Sequence, residues 1–187
     1  YNAFKKGFVE KIKQLKIGDP FDPKTNQGAV VSEDHMNKVL ACIELAKEEG
    51  GTIIAGGNRV VLEGDLADGY YIEPTIIEGL PFDCRTNQEE IFGPVVTIAP
   101  FKTENEVLKY ANSTTYGLAS CIWTENLTKA HRLAASLETG VVWTNCWLVR
   151  DLRTPFGGVK NSGVGREGGF EALHFFTEPQ NICVKIQ

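Results

Sequence analysis

Gln88-Glu89-Glu90-Ile91-Phe92-Gly93-Pro94-Val95-Val96 sets two carboxylates, an aromatic ring and a Gly-Pro turn directly before an apolar run that continues to Phe101. A short apolar run bounded by such a turn predicts a strand over 95–101. The acids at its mouth suit one particular chemistry. A carboxylate accepts hydrogen bonds from two vicinal hydroxyls at once, and acidic residues hold a ribose in this way. A ring two residues beyond Glu90 is placed to pack on a base or a nicotinamide. The bland alternative is a solvated acidic loop, with Phe92 in the core.

Downstream of that strand the order becomes regular. Thr103-x-x-Glu106 matches a capping box and opens a helix. A strand over 118–123, a helix over 127–137 ended by Gly140 and a strand over 141–145 follow. Strand and helix in alternation predict right-handed crossovers and an α/β fold with a mainly parallel sheet. A long glycine-rich loop over 146–165 comes next, and long loops in compact domains are usually functional. A short helix over 168–175 and a final strand over 181–186 complete the chain.

Upstream, Phe4, Phe8, Ile12 and Leu15 recur at helical spacing, and Gly18-Asp19-Pro20 stops that helix after Lys16. Ser32 is placed to cap a second helix with Met36, Val39, Leu40, Ile43 and Ala46 on one face, ended by Gly50-Gly51. A strand over 52–55 and a loop or hairpin over 56–69 follow. Residues 70–77 alternate poorly and contain Pro74, which predicts an edge strand or an extended connector.

Bulk composition narrows the function classes. With 187 residues, 42% of them hydrophobic, the chain can bury a substantial core. A net charge of -5 without a basic block disfavours nucleic acid as a partner. No apolar run approaches membrane-spanning length, and the first residues are no signal peptide. The five cysteines form no CxxC pair and no metal spacing, and their odd number and apolar settings point to a reducing, cytoplasmic compartment. Asn112-Ser113-Thr114 and Asn126-Leu127-Thr128 match the glycosylation triplet, as expected by chance at helix ends. The chain starts at Tyr1, inside what reads as a helix, which suggests a fragment.

A second motif, Thr154-Pro155-Phe156-Gly157-Gly158-Val159-Lys160-Asn161-Ser162-Gly163-Val164-Gly165-Arg166-Glu167, follows the first in the chain. Together and in this order they resemble the aldehyde dehydrogenase superfamily, over essentially all 187 residues. The resemblance implies that residues 1–178 are the C-terminal part of the catalytic domain and that 179–187 form an oligomerisation-arm strand joining a second copy. It further implies that the NAD-binding half, the nucleophilic Cys, the oxyanion-hole Asn and the base Glu lie outside these residues. The chain alone is then expected to be inactive. Glu90 carries over as the ribose contact and Phe92 as the ring on the nicotinamide side. His35 and Lys38 lie near where family members contact the adenosine ribose.

In the family the stretch before Pro-Phe-Gly-Gly lines the aldehyde entrance, here Trp147-Leu148-Val149-Arg150-Asp151-Leu152-Arg153. Many relatives with apolar substrates have an aromatic or aliphatic residue at the position of Arg150, whereas a guanidinium offers a planar fork to a carboxylate. The run resembles the muconic semialdehyde dehydrogenases, which act on 2-aminomuconic or 2-hydroxymuconic semialdehyde. It implies a substrate site of Arg150, Arg153, Trp147, Leu148 and Phe156. The alternative is that Arg150 pairs with Asp151 or another acid of the chain.

Two other signals mislead. Gly163-Val164-Gly165-Arg166-Glu167-Gly168 fits G-x-G-x-x-G, but no apolar strand precedes it, so it reads as a structural loop. Cys146 follows a strand but has no evident activating base, so it reads as a buried thiol rather than a nucleophile. Competing readings are a non-catalytic scaffold or oligomerisation module, an enzyme for uncharged aldehydes such as retinal, and a nucleotide site at the Gly163 loop.

Overall fold

The computed structural model describes residues 1–186. They form two compact units, divided after Phe101.

The N-terminal unit is built on helix α2 (Glu33–Glu48), which follows α1 (Asn2–Ile12). Ser32 caps α2 as expected, its hydroxyl accepting the His35 amide at 3.2 Å, and Glu33 and Asp34 lie at the positive end of the helix dipole. Met36, Val39, Ile43 and Ala46 fall on one face and are essentially fully buried. Each of the larger three contributes about 1.5–3 kcal/mol from burial. They pack on a sheet of β1 (Thr52–Ala55), β4 (Thr75–Glu78) and β5 (Val95–Ile98), in the order β1-β4-β5. Strands β1 and β4 are antiparallel, while β4 and β5 are parallel from Thr75↔Val95 to Glu78↔Ile98. The region expected to be an edge therefore contains the central strand. Pro74 stands just outside the ladder, which opens with the Thr75 amide on the Pro94 carbonyl at 2.8 Å, so no ladder donor is missing. Between β1 and β4, β2 (Arg59–Val60) and β3 (Tyr71–Ile72) form a small antiparallel hairpin. Helix α3 (Arg85–Gln88), a single turn, leads to β5. Helix α1 ends at Ile12 rather than Lys16, and it is moored by Tyr1 and Lys5 to Glu78 at 2.8 and 2.9 Å. Burial first, then the Glu78 carboxylate, push the Tyr1 hydroxyl up to about 12.

In the C-terminal unit α4 (Glu104–Asn112) begins at the expected capping box. The Thr103 hydroxyl accepts the Glu106 amide, and the Glu106 carboxylate accepts the Lys102 amide at 2.6 Å. Strands β6 (Tyr116–Gly117) and β7 (Ala119–Ile122) follow, then α5 (Leu127–Ser136), β8 (Val141–Thr144), β9 (Val159–Lys160) and α6 (Gly169–Phe176). Strands β7 and β8 pair in parallel with α5 as the connection, which bears out the α/β expectation, and β6 pairs antiparallel with β9. A Cβ at Gly140 would stand 1.7 Å from the Gly157 carbonyl oxygen, so the start of β8 and the glycine loop meet backbone to backbone. The final strand expected over 181–186 is not formed within this chain. These residues are exposed and make no ladder among the described residues, because a strand needs a neighbouring edge. Gln187, the last residue of the expected oligomerisation arm over 179–187, lies outside the described residues. Among the described residues no helix is long and apolar enough to cross a membrane.

Gly93 lies hard against α2, and a Cβ there would stand 2.7 and 2.9 Å from the methyl carbons of buried Val39. A β-branched side chain has little rotamer freedom with which to yield. Gly93→Ala should destabilise by about 1–3 kcal/mol. Gly7→Ala, within α1 and with open space around its Cβ, should stabilise by about 0.5–1 kcal/mol. Thermal melts of the two variants beside the parent check both signs.

Candidate cofactor and substrate sites

The four residues expected at a cofactor come together in the N-terminal unit. Of the paired acids, Glu89 is committed: Arg85 Nε donates to it at 2.6 Å, and this bond is the main cause holding the Glu89 carboxyl below its ordinary range. Glu90 is exposed, and its carboxylate has no partner among the described residues. Phe92 adopts the left-handed conformation at φ 60°, with its side chain 71% exposed. His35 Nε2 lies 2.7 Å from the Phe92 carbonyl oxygen and donates to it, which places a proton on that nitrogen. The two rings meet edge to face at 6.2 Å. Lys38 Nζ reaches the Glu90 carbonyl at 3.4 Å. His35 and Lys38, one turn apart on α2, thus hold the backbone of the motif rather than standing free.

Sequence reasoning missed Glu49, at the C-cap of α2, which hydrogen-bonds both Arg85 and Thr86 at the start of α3. The available signal was an acid at the end of a helix where the dipole favours a base.

In the C-terminal unit buried Trp143 on β8 donates its indole N–H to the Val149 carbonyl at 2.8 Å. Trp147 meets Trp143 edge-on at 5.1 Å and is otherwise exposed, as is Leu148, which turns the loop at φ 55°. Arg150 and Phe156 are brought together, the guanidinium carbon 4.1 Å from the ring centroid. Arg150 also donates to Glu167 at 2.5 Å, so an acid of the chain does meet it, and that acid is not Asp151. Asp151 instead binds Arg153, through Nε at 2.9 Å and a terminal nitrogen at 2.5 Å. Those bonds hold the Asp151 carboxyl low, and they commit Arg153 to a local pair.

A cavity of about 270 Å³ opens beside Phe156, Glu167, Phe175 and the glycine loop. The G-x-G-x-x-G segment serves packing: a Cβ at Gly165 would enter the Phe175 ring, and Phe156 and Glu167 form an antiparallel bridge. Cys84 has the Glu49 carboxylate as a neighbour, and there burial first, with that carboxylate adding to it, raises the thiol, the opposite of activation. No cluster of potential metal ligands occurs among the described residues.

The aldehyde dehydrogenase family matches residues 1–182. A 2-aminomuconic 6-semialdehyde dehydrogenase of a Pseudomonas species is 46% identical over 186 residues, all of this chain and 38% of that protein. A 2-hydroxymuconic semialdehyde dehydrogenase of Pseudomonas sp. strain CF600 is 49% identical, over 96% of this chain and 38% of its own length. The chain thus spans well under half the length of the curated relatives it matches. Among solved structures, an NAD+ complex of an aldehyde dehydrogenase from Bacillus cereus superposes with a TM-score of 0.92 at 38% identity, over all of this chain and 37% of that one. By sequence and by fold, the chain belongs to the aldehyde dehydrogenase family.

Proposed function

We propose that the whole protein is an NAD-dependent dehydrogenase that oxidises a carboxylated semialdehyde of the 2-aminomuconic or 2-hydroxymuconic type to the acid. The observation that carries this reading is Arg150, its guanidinium carbon 4.1 Å from the centre of the Phe156 ring and in contact with a single acid, with its other donors left for a substrate carboxylate. NAD fits the N-terminal unit, where Glu90 offers an exposed carboxylate without a partner and Phe92 an exposed ring. NAD+, when bound, supplies the hydride acceptor. Glu90 accepts the ribose hydroxyls, Phe92 flanks the nicotinamide side, and Arg150 orients the acidic end of the aldehyde. Trp147 and Leu148 exclude water around it. The attacking thiolate belongs to none of the five cysteines in this reading, and the 187 residues alone are inactive. The relatives' names favour the muconic substrates over uncharged aldehydes such as retinal. Five free cysteines suit the cytoplasm.

In the whole protein, Arg150→Ala should lower kcat/KM for an acidic semialdehyde by about 10- to 100-fold, the worth of a charge-assisted hydrogen bond. The loss for an uncharged aldehyde should stay within about threefold. Equal losses, followed by NADH absorbance, reject the carboxylate clamp. Glu90→Gln keeps the size of the side chain but loses one acceptor oxygen, and should raise the NAD+ KM by about tenfold. Residues 179–187 are proposed to pair with a second copy, since the exposed, unpaired apolar residues Ile182, Val184 and Ile186 suit a strand edge. Deleting 179–187 should reduce the oligomer, read as a smaller mass by light scattering; an unchanged mass rejects that role.

A further inference from the structure

We propose that Glu49 is a positioning residue for NAD+ binding: from the C-cap of α2 its carboxylate gathers the donors at the start of α3 and thereby sets where Glu90 stands. The inference rests on Glu90 being the ribose contact.

Glu49 Oε1 accepts the Arg85 amide at 2.9 Å, and Oε2 accepts the Thr86 amide at 3.1 Å and the Thr86 hydroxyl at 2.6 Å. Thr86 is only 6% exposed, so its hydroxyl depends on this one acceptor. The same bonds, the Thr86 hydroxyl foremost, hold the Glu49 carboxyl below its ordinary range. A carboxylate at the end of α2 faces the negative pole of its own helix, an unfavourable place. The amides of α3 offset that cost.

The position of Glu49 is transmitted over a very short path. Helix α3 is a single turn, closed by the Glu89 amide on the Arg85 carbonyl at 2.9 Å and by the Arg85–Glu89 ion pair. Glu90 is the next residue. Behind the turn, the Asn87 and Gln88 side-chain amides donate to the Pro81 and Phe82 carbonyls at 2.8 and 2.9 Å. Beyond it, Lys38 and His35 hold the Glu90 and Phe92 carbonyls. Helix α2 therefore grips the segment on both sides of the Glu90 side chain, with Glu49 at one of its ends and His35 near the other. A helix of this length is a rigid spacer of about 24 Å.

The test uses the whole protein and steady-state kinetics with NAD+ and an aldehyde substrate. Glu49→Gln keeps size but turns an NH2 group toward backbone donors. It should raise the NAD+ KM by about tenfold, with kcat at saturating NAD+ within about threefold and the aldehyde KM within about twofold of the parent. Thr86→Val should raise the NAD+ KM in the same direction by a smaller factor, and Thr86→Ser, which restores the hydroxyl, should return it. A purely structural role would lower the melting temperature and the active fraction without moving the NAD+ KM. An unchanged NAD+ KM in folded Glu49→Gln, or equal changes for NAD+ and aldehyde, overturns the proposal. If Glu49→Gln does not fold, the Thr86→Val and Thr86→Ser pair decides by the same criterion. An unchanged NAD+ KM in Glu90→Gln, by contrast, overturns the ribose reading itself, whatever Glu49→Gln does.

Discussion

Val39 and Gly93 approach so closely that not even one methyl group fits between them, and the N-terminal unit is arranged around that contact. Val39 is also a core residue of α2, packed with Met36, Ile43 and Ile72. The helix that fills the core is thus the helix against which the ligand-facing segment is pressed. With Gly93 seated against the helix, Ile91 packs on that core, while Glu90 and Phe92 on either side of it remain exposed. Of the two neighbouring carboxylates, Arg85 neutralises Glu89 and leaves Glu90 the free one.

The C-terminal unit reaches order by another route. Few of its side chains are fully buried, Ala130 and Trp143 being the apolar ones. Its long loop is fixed by backbone approach at Gly140 and Gly157 and by side chains that bind main-chain groups. The Trp143 indole takes the Val149 carbonyl, and the Asn145 amide brackets the amide and carbonyl of Thr124 at 2.8 and 2.7 Å. These contacts hold the two ends of the 146–150 stretch. Arg150 then finds an aromatic ring on one side and one acid, Glu167, on another.

What was legible in the sequence was what neighbouring residues decide. Ser32, Thr103 and the 3–4 spacing of Met36, Val39, Ile43 and Ala46 define α2 and the start of α4, because caps and amphipathic faces are local chemistry. Strand β4 was misjudged because Pro74 was counted inside the ladder when it stands one residue before it. The two-residue pairs β2–β3 and β6–β9 and the single turn of α3 leave no periodicity to read. The candidate sites were legible as far as their motifs reach: the motifs name Glu90 and Phe92 in one unit and Arg150 and Phe156 in the other, and His35 and Lys38 stand beside the first pair. Glu49 bonds a residue 36 positions away and Arg150 one 17 positions away, and no local pattern announces either pair. Arg153 was grouped with Arg150 through the resemblance of the whole run, which does not foretell that Asp151, two residues before it, pairs with it.

Phe92 is a bulky side chain at φ 60°, a conformation that costs an ordinary residue about 1–2 kcal/mol. Glycine would relax this backbone but would remove the ring, and the small polar residues that tolerate the left-handed region offer no apolar face. A β-branched replacement suits neither demand. The repertoire at this position is therefore narrow: conformational comfort and stacking surface pull toward different amino acids. A planar aromatic residue persists there only while its carbonyl is tethered, as His35 tethers it, against the recoil of its own main chain.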